Sequence, residues 1–271
     1  MIHDASKRSG KSARYHGPAA LCQLFCQLEI LFCVLYSRAS EMKDPSIVPI
    51  VLAAGSAGEL DLPKALARFG GKTAAEIALA NCHGRSQEMG RPILVLGERA
   101  KEIQRSLPAT VLRRMDCITN RRWREGQLTS LLAALQLVPR GSAFMLYPVD
   151  MPLLTHDIIQ RLVSRYYKCP ARPCIVMPRL GKRYGHPVVF SADLRGEIMA
   201  ARTAREVAYR DPGRIHTLSV RTSAIWTDFS TPAEYARCLR RFALQAHRLR
   251  NQSPAKSLLQ KRETSEMRTA K

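Results

Sequence analysis

"VLAAGSAGELDLPKAL", Val51 to Leu66, runs from an apolar segment into a loop of small residues and ends near a lysine, Lys64. The first half has the composition of a buried strand. The loop has that of a phosphate cradle, where small residues let backbone N–H groups approach an anion. Two acids, Glu59 and Asp61, stand inside it. Common templates fail: Gly55 is followed by Ser56, Ala57 and Gly58, so the dinucleotide fingerprint G-x-G-x-x-G is absent. "GGKT", Gly70 to Thr73, ends like a P-loop, but Leu66 occupies the place of the first glycine.

Outward from this stretch the pattern is regular. The runs "IVPIVLAA", "PILVLG", "TVLRR", "AFMLYPVD" and "CIVMPR" are short and apolar, as strands buried on both faces should be. Helical periods fall between them at Thr73 to Ala80, Gln127 to Leu137, Asp157 to Tyr167, Ala192 to Tyr209 and Pro232 to Leu249. Strand alternating with helix implies parallel crossovers, hence an α/β fold with a doubly wound, mostly parallel, Rossmann-like sheet. Such sheets bind ligands at the carboxyl ends of their strands.

The chain has 271 residues and a formal net charge of +21, which favours anionic partners. Much of that charge lies at the end: Arg237 to Lys271 carries basic residues throughout against only Glu263 and Glu266. Aromatic side chains are nearly absent there, so a solvated helix and disordered tail fit better than a nucleic-acid arm. The 8 cysteines form no C-x-x-C pair, which suits reduced thiols and a cytoplasmic location. Cys169, Cys174 and His186 are close in sequence, but spacing across two prolines makes poor zinc geometry. The expected organisation is an extension at 1–45, disordered or non-native ahead of a start at Met42, a domain at 46–248 and a basic disordered tail at 249–271. Within the extension "AALCQLFCQLEILFCVLY" is short for a membrane span and carries Glu29, which argues against a membrane partner; a peripheral amphipathic helix or weak anchor is the alternative.

The opening stretch resembles the signature L-A-A-G-x-S-x-R-M-G-x-x-K of the MobA-like NTP transferases, the family that includes molybdenum-cofactor cytidylyl- and guanylyltransferases. Leu52, Ala53, Ala54, Gly55 and Lys64 match in register. Ala57 replaces the serine, Glu59 the arginine and Asp61 the second glycine. "NRRWREGQLTSLLAAL" resembles N-x-x-W-x-x-G-x-x-x-S-L through Asn120, Trp123, Gly126, Ser130 and Leu131. "YPVDMPLLT" resembles the metal-binding D-x-P loop, with Asp150 at its tip, and "GHPVVF" the G-H-P segment of the cytidylyltransferase branch through Gly185, His186 and Pro187. "TDFSTPAEYAR" resembles D-I-D-T-P-E-D-Y, with Asp228, Thr231, Pro232 and Tyr235 kept and Ser230 in place of the second aspartate. The ordered set covers about Val48 to Arg237 and implies the nucleotide-diphospho-sugar transferase type of sheet.

Nucleotidyl transfer asks mainly for positioning and for neutralising negative charge. Ala53 to Gly58 supply backbone donors and Lys64 a point charge. Asp150 follows an apolar strand and emerges where an Mg²⁺ ligand belongs, because Thr155 is better placed to cap the next helix. Asp228 is a candidate second metal ligand, since Ser230 or Thr231 can cap the helix after it. The resemblance implies nucleotide contacts from Leu52, Ala53, Ala54, Gly55, Asn120, Gly126 and Ser130, acceptor contacts from Gly185, His186 and Pro187, and catalytic roles for Lys64 and Asp150. A plain helix start at Gly126, and simple packing of His186 beside Pro187, stay open. The implied reaction is Mg²⁺-dependent transfer of CMP from CTP to a phosphorylated acceptor such as molybdopterin. Glu59 leaves three outcomes: it turns to solvent while Arg68, Lys72 or Arg121 compensates, it helps hold Mg²⁺, or catalysis is lost. The last would make the chain a nucleotide- or cofactor-binding partner of a molybdoenzyme. Nucleic-acid binding, the third alternative, lacks a recognition-helix pattern.

Overall fold

The structure, a computed structural model, describes residues 47–83 and 88–251. The expected extension at 1–45 and the tail beyond Asn251 lie outside the described residues. The strands are β1 (Val48–Ala53), β2 (Arg68–Phe69), β3 (Lys72–Thr73), β4 (Ile93–Leu96), β5 (Asp116–Thr119), β6 (Phe144–Pro148), β7 (Ile175–Leu180), β8 (Arg183–Tyr184), β9 (Val188–Phe190) and β10 (Ile215–Ser219). The helices are α1 (Ala74–Asn81), α2 (Ala100–Ser106), α3 (Ala109–Leu112), α4 (Gln127–Leu135), α5 (His156–Tyr167), α6 (Arg195–Ala200), α7 (Ala204–Arg210) and α8 (Pro232–Asn251).

The main sheet has the order β10-β7-β9-β6-β1-β4-β5, with β8 paired to β7; β2 and β3 form a separate ribbon. β1 lies between β4 and β6 and is parallel to both, with Leu52 opposite Val95 on one side and Pro148 on the other. The β4–β5 and β7–β10 pairs are also parallel. β9 is antiparallel to both β6 and β7, because β7, β8 and β9 follow one another without a crossover helix. A turn with Gly181 at φ 59° starts that return.

Both faces of the sheet are buried. Along β1, Val51 and Ala53 join the cluster beneath α1 and α5, while Val48, Ile50 and Leu52 join the one that includes Leu131, Ala134 and Ile198. This alternation is the two-residue period of a strand read from both sides. Phe69, Phe229, Tyr235 and Phe242 form an aromatic cluster, with Phe69 5.4, 5.3 and 5.6 Å from the other rings in that order. It holds the start of α8 against the segment that follows the small-residue loop.

Two local expectations are corrected. "TVLRR" is not a strand: Pro108 opens the short helix α3, Val111 and Leu112 are only half-buried, and the strand is "DCIT", β5. Ala192 to Tyr209 is not one helix. Thr203 accepts a hydrogen bond from the Glu206 N–H at 3.0 Å and starts α7 anew, so the apolar period is shared by two helices. Thr73 caps α1 in a reciprocal capping box with Glu76.

Gly97, just beyond β4, fixes how closely the β1 loop can approach. A Cβ there would lie 2.3 Å from the Ala54 carbonyl oxygen and 2.8 Å from Trp123 Cγ. Gly97→Ala is expected to destabilise the fold by about 2–3 kcal/mol, seen as a fall of roughly 4–10 °C in melting temperature. Gly196→Ala, whose Cβ would meet nothing within 4 Å, is expected to be neutral or stabilising by up to about 1 kcal/mol. Equal effects of the two substitutions would contradict the close approach at Gly97.

Candidate functional site

The parallel pairing of β1 and β6 carries two loops out of the same end of the sheet. Beyond the last pair the register persists, as the Val149 N–H donates to the Leu52 carbonyl at 3.1 Å. Ala54 and Gly55 therefore emerge beside Asp150. The loop then turns through a single 3₁₀ turn, Gly58–Leu60, with the Ala57 N–H donating to Glu98 Oε2 at 3.2 Å. Asp61 ends that turn in the left-handed region, φ 49°, where glycine is most at home and aspartate is among the residues that tolerate it. Its carbonyl accepts from Arg99 Nη1 at 3.2 Å. Glu59 and Asp61 are both exposed, and neither lines the cavity that Gly55, Lys64 and Asp150 border.

A second 3₁₀ turn, Lys64–Leu66, buries Ala65 and Leu66 and leaves Lys64 free to reach inward. Lys64 Nζ donates to Asp150 Oδ2 at 2.9 Å and to Ser230 Oγ at 2.8 Å. The Lys64 and Asp150 side chains are 21% and 18% exposed, so water only partly screens the pair. Ser230 is fixed by the start of α8. Glu234 accepts from the Ser230 and Thr231 N–H groups at 2.9 and 3.1 Å, and Thr231 Oγ1 accepts from the Glu234 N–H at 3.3 Å. Those backbone bonds hold the Glu234 carboxyl below its ordinary range.

Two cavities adjoin this cluster. The first, about 200 Å³, is bounded by Leu52 to Gly55, Lys64, Trp123, Gln127, Ser130 and Asp150. The second, about 350 Å³, is lined by Tyr184, Gly185, His186, Arg205, Tyr209 and Trp226 among others, and Gln127 borders both. Tyr184 and Tyr209 meet edge to face at 6.1 Å, and the Arg183 guanidinium lies 4.5 Å above the Trp226 ring. Gly185 has no room for a side chain, since a Cβ would sit 2.2 Å from the Ile225 carbonyl oxygen. His186 is anchored by its N–H, which donates to the same carbonyl at 2.7 Å. Burial pushes the His186 imidazole below its ordinary pKa, opposed by Asp150, by a backbone hydrogen bond to Leu146 and by Asp228. Its Nδ1 is buried without a hydrogen-bond partner among the described residues.

Of the residues expected from the sequence, Leu52, Ala53, Ala54, Gly55, Lys64, Ser130 and Asp150 converge on the first cavity. Gly185 and His186 line the second, whereas buried Pro187 does not. Asn120 is a brace behind the wall: its Nδ2 donates to Thr129 Oγ1 at 2.8 Å and Ser130 Oγ at 3.0 Å. Gly126 supplies the φ of 116° that opens α4 and does not border the cavity. Asp228 is exposed and borders neither cavity. Thr155 caps α5 as expected, with the Ile158 N–H at 3.5 Å. None of the expected substitutes for a loop arginine reaches the first cavity: Arg68 Nη1 donates to the Gly71 carbonyl at 3.1 Å, Lys72 is exposed, and Arg121 lines a separate groove with Arg99. Lys64 is the only cation among the described residues that line it.

Gln127, Ser230 and the aromatic wall of Tyr184, Tyr209 and Trp226 join the site without a motif that marks them for it. Ser230 was visible as the residue replacing an aspartate; the aromatic residues are assembled only by the fold. Among the described residues no group of three or more His, Cys, Asp or Glu side chains is arranged to hold a metal, so the Cys169, Cys174 and His186 arrangement is not formed. Asp150 with the Ser230 hydroxyl offers oxygen donors of the kind a hard divalent cation takes when phosphates and water complete its shell. No described helix is long and apolar enough to cross a membrane.

A family model described as "MobA-like NTP transferase domain" matches residues 49–214. Among solved structures, Rv0371c from Mycobacterium tuberculosis H37Rv is similar at 24% identity and a TM-score of 0.61, covering 73% of this chain and 100% of its own. A second structure of Rv0371c, at 23% identity and a TM-score of 0.57 over 72% and 98% of the two chains, is a complex with manganese. Molybdopterin-guanine dinucleotide biosynthesis protein A from Archaeoglobus fulgidus aligns at 15% identity and a TM-score of 0.52, over 72% and 97%. CMP:2-keto-3-deoxy-manno-octonic acid synthetase complexed with CTP aligns at 14% and 0.55, over 75% and 99%. These likenesses establish the fold as a mostly parallel sheet of the nucleotide-diphospho-sugar transferase type. Comparison with curated proteins gives no match.

The lowered His186 pKa makes stability depend on pH. His186 stays neutral in the folded chain below the pH at which it protonates when unfolded, about 6.5. Its share of stability is therefore intact above that value and is lost as pH falls through it towards the folded value. His186→Gln, which cannot charge, should flatten the fall in urea midpoint between about pH 7.5 and 5.5. His216 is shifted the same way and acts equally in both proteins, so the difference reports His186. Parallel profiles would show that His186 does not carry the effect.

Proposed function

Since the chain belongs to the MobA-like NTP transferase family, we propose that it transfers CMP from CTP to a phosphorylated acceptor such as molybdopterin and releases pyrophosphate. The observation that carries this reading is the meeting of Lys64 and Asp150 at 2.9 Å on the rim of a small cavity walled by the backbone of Leu52 to Gly55. The nucleotide occupies that cavity, with the backbone beyond Ala54 meeting its base and the loop N–H groups other than that of Ala57, which Glu98 takes, facing the phosphates. Lys64 holds negative charge on the triphosphate as an acceptor phosphate oxygen attacks the α-phosphorus. The bond to the bridging oxygen breaks, and pyrophosphate leaves with the electron pair. A divalent cation, Mg²⁺ in this reading, would supply further neutralisation when bound, held by Asp150 with the Ser230 hydroxyl nearby. Manganese in one Rv0371c structure and CTP in the synthetase support divalent-cation use and the choice of CTP.

The acceptor takes the second cavity, and Gln127 stands at the junction. Tyr184, Tyr209 and Trp226 suit a flat ring system, Arg205 an anionic group, and neutral His186 hydrogen bonding to the acceptor. A cytoplasmic location is part of this reading, in keeping with the free thiols of Cys82, Cys117, Cys169, Cys174 and Cys238. One observation favours a second reading: exposed Glu59 stands where the family signature has arginine, so the loop offers no guanidinium. On that reading the protein binds nucleotide or cofactor without turnover and acts as a maturation partner of a molybdoenzyme.

Pyrophosphate release from each of CTP, GTP, ATP and UTP, with Mg²⁺ and molybdopterin, separates the two. Turnover should be fastest with CTP and should fall by roughly two orders of magnitude or more in Asp150→Asn. Tyr209→Ala should raise KM for the acceptor and leave KM for CTP unchanged. Retained CTP binding with no turnover, and activity gained only on Glu59→Arg with Asp61→Gly, would establish the second reading instead.

A further inference from the structure

The partner of Lys64 other than Asp150 is Ser230, at the position where the family segment carries an aspartate. The substitution changes the charge balance of the cluster. One carboxylate and one hydroxyl face one ammonium, so the group is neutral where a second carboxylate would have left it negative. Neither nearby acid makes up the difference: Glu234 is held by the Ser230 and Thr231 N–H groups, and Asp228 is exposed outside the cavity. The Lys64 ammonium already sits where a cation would be attracted to Asp150. Its four-carbon stem is flexible, and its charge is a point that can move from carboxylate to phosphate.

We infer that Lys64, resting on Asp150 and Ser230, occupies the cation position in the nucleotide-free protein and yields it to a divalent ion only when a nucleoside triphosphate takes the ammonium over. The inference rests on the nucleotidyltransferase reading. Ser230 acts as a positioning residue: it steadies Lys64 against Asp150 without adding charge. Nucleotide then does two things at once, drawing Lys64 from Asp150 and adding phosphate oxygens to the exposed carboxylate.

Mn²⁺ binding to the full chain, followed through the EPR signal of the free ion without nucleotide, tests this directly. Lys64→Met should bind Mn²⁺ roughly tenfold or more tightly than the native protein, because the competing charge is gone. Ser230→Ala should give a gain of about a few-fold, since Lys64 loses one of its two rests, and Ser230→Thr should restore the native value. Lys64→Arg keeps the charge and should not show the gain, and adding Asp150→Asn to Lys64→Met should abolish it. Unchanged or weaker Mn²⁺ binding in folded Lys64→Met, or equal gains in Lys64→Met and Lys64→Arg, would overturn the inference. Calorimetric titration with CTP in the absence of metal keeps the two readings apart. Failure to bind CTP would remove the nucleotide reading and with it the proposed exchange; CTP binding without the Lys64→Met gain would remove the exchange alone.

Discussion

The parallel pairing of β1 with β6 is the constraint on which the rest of the site depends. It sets Leu52 opposite Pro148, and the next hydrogen bond, from Val149 to Leu52, delivers the small-residue loop and Asp150 side by side. Slipping the register by one residue would send Val51 and Ala53 to the wrong face of the sheet and break both buried clusters. The core therefore enforces the alignment that the site uses. A third strand tightens it: Gly97 lets the end of β4 approach the Ala54 carbonyl more closely than any side chain would permit.

The acids that make the opening loop look unsuited to an anion have separate physical explanations. Asp61 fills a left-handed turn position, and its carbonyl is tied to Arg99. Glu59 projects into solvent, where screening weakens whatever repulsion it exerts. Positive charge at the first cavity is consequently concentrated in Lys64, which is placed by the aromatic cluster and helix cap at the start of α8 as much as by its own loop. A segment more than 160 residues downstream thus takes part in setting a charge on the loop.

The strands of the central sheet were legible because burial on both faces leaves short unbroken apolar runs, as in "IVPIVLAA" and "AFMLYPVD". "TVLRR" misled because a run of that kind also fits a short helix when proline opens it, and nothing local records that Val111 and Leu112 are only half-covered. The residues of the first cavity were legible where they follow strands directly, as Gly55 and Asp150 do. Asn120 and Gly126 stood in the right segment but serve as a brace and a turn, a distinction that hydrogen bonds reveal and spacing does not. The aromatic wall could not be read at all. Tyr184, Tyr209 and Trp226 come from a short strand, a helix and a 3₁₀ turn, and only the antiparallel return of β9 beside β6 and β7 gathers their elements around His186.

On the proposed function a nucleotide enters between Trp123 and Lys64, which both line the first cavity. The chain has 2 tryptophans, and Trp226→Phe leaves Trp123 as the sole tryptophan, excited selectively at the red edge of the absorption band. Titration of that variant with CTP and Mn²⁺ should change Trp123 emission with the same midpoint as the thermal stabilisation by CTP, because a base in the cavity must contact or uncover the indole. Thermal stabilisation by CTP with no response from Trp123 would place the nucleotide elsewhere and contradict the account.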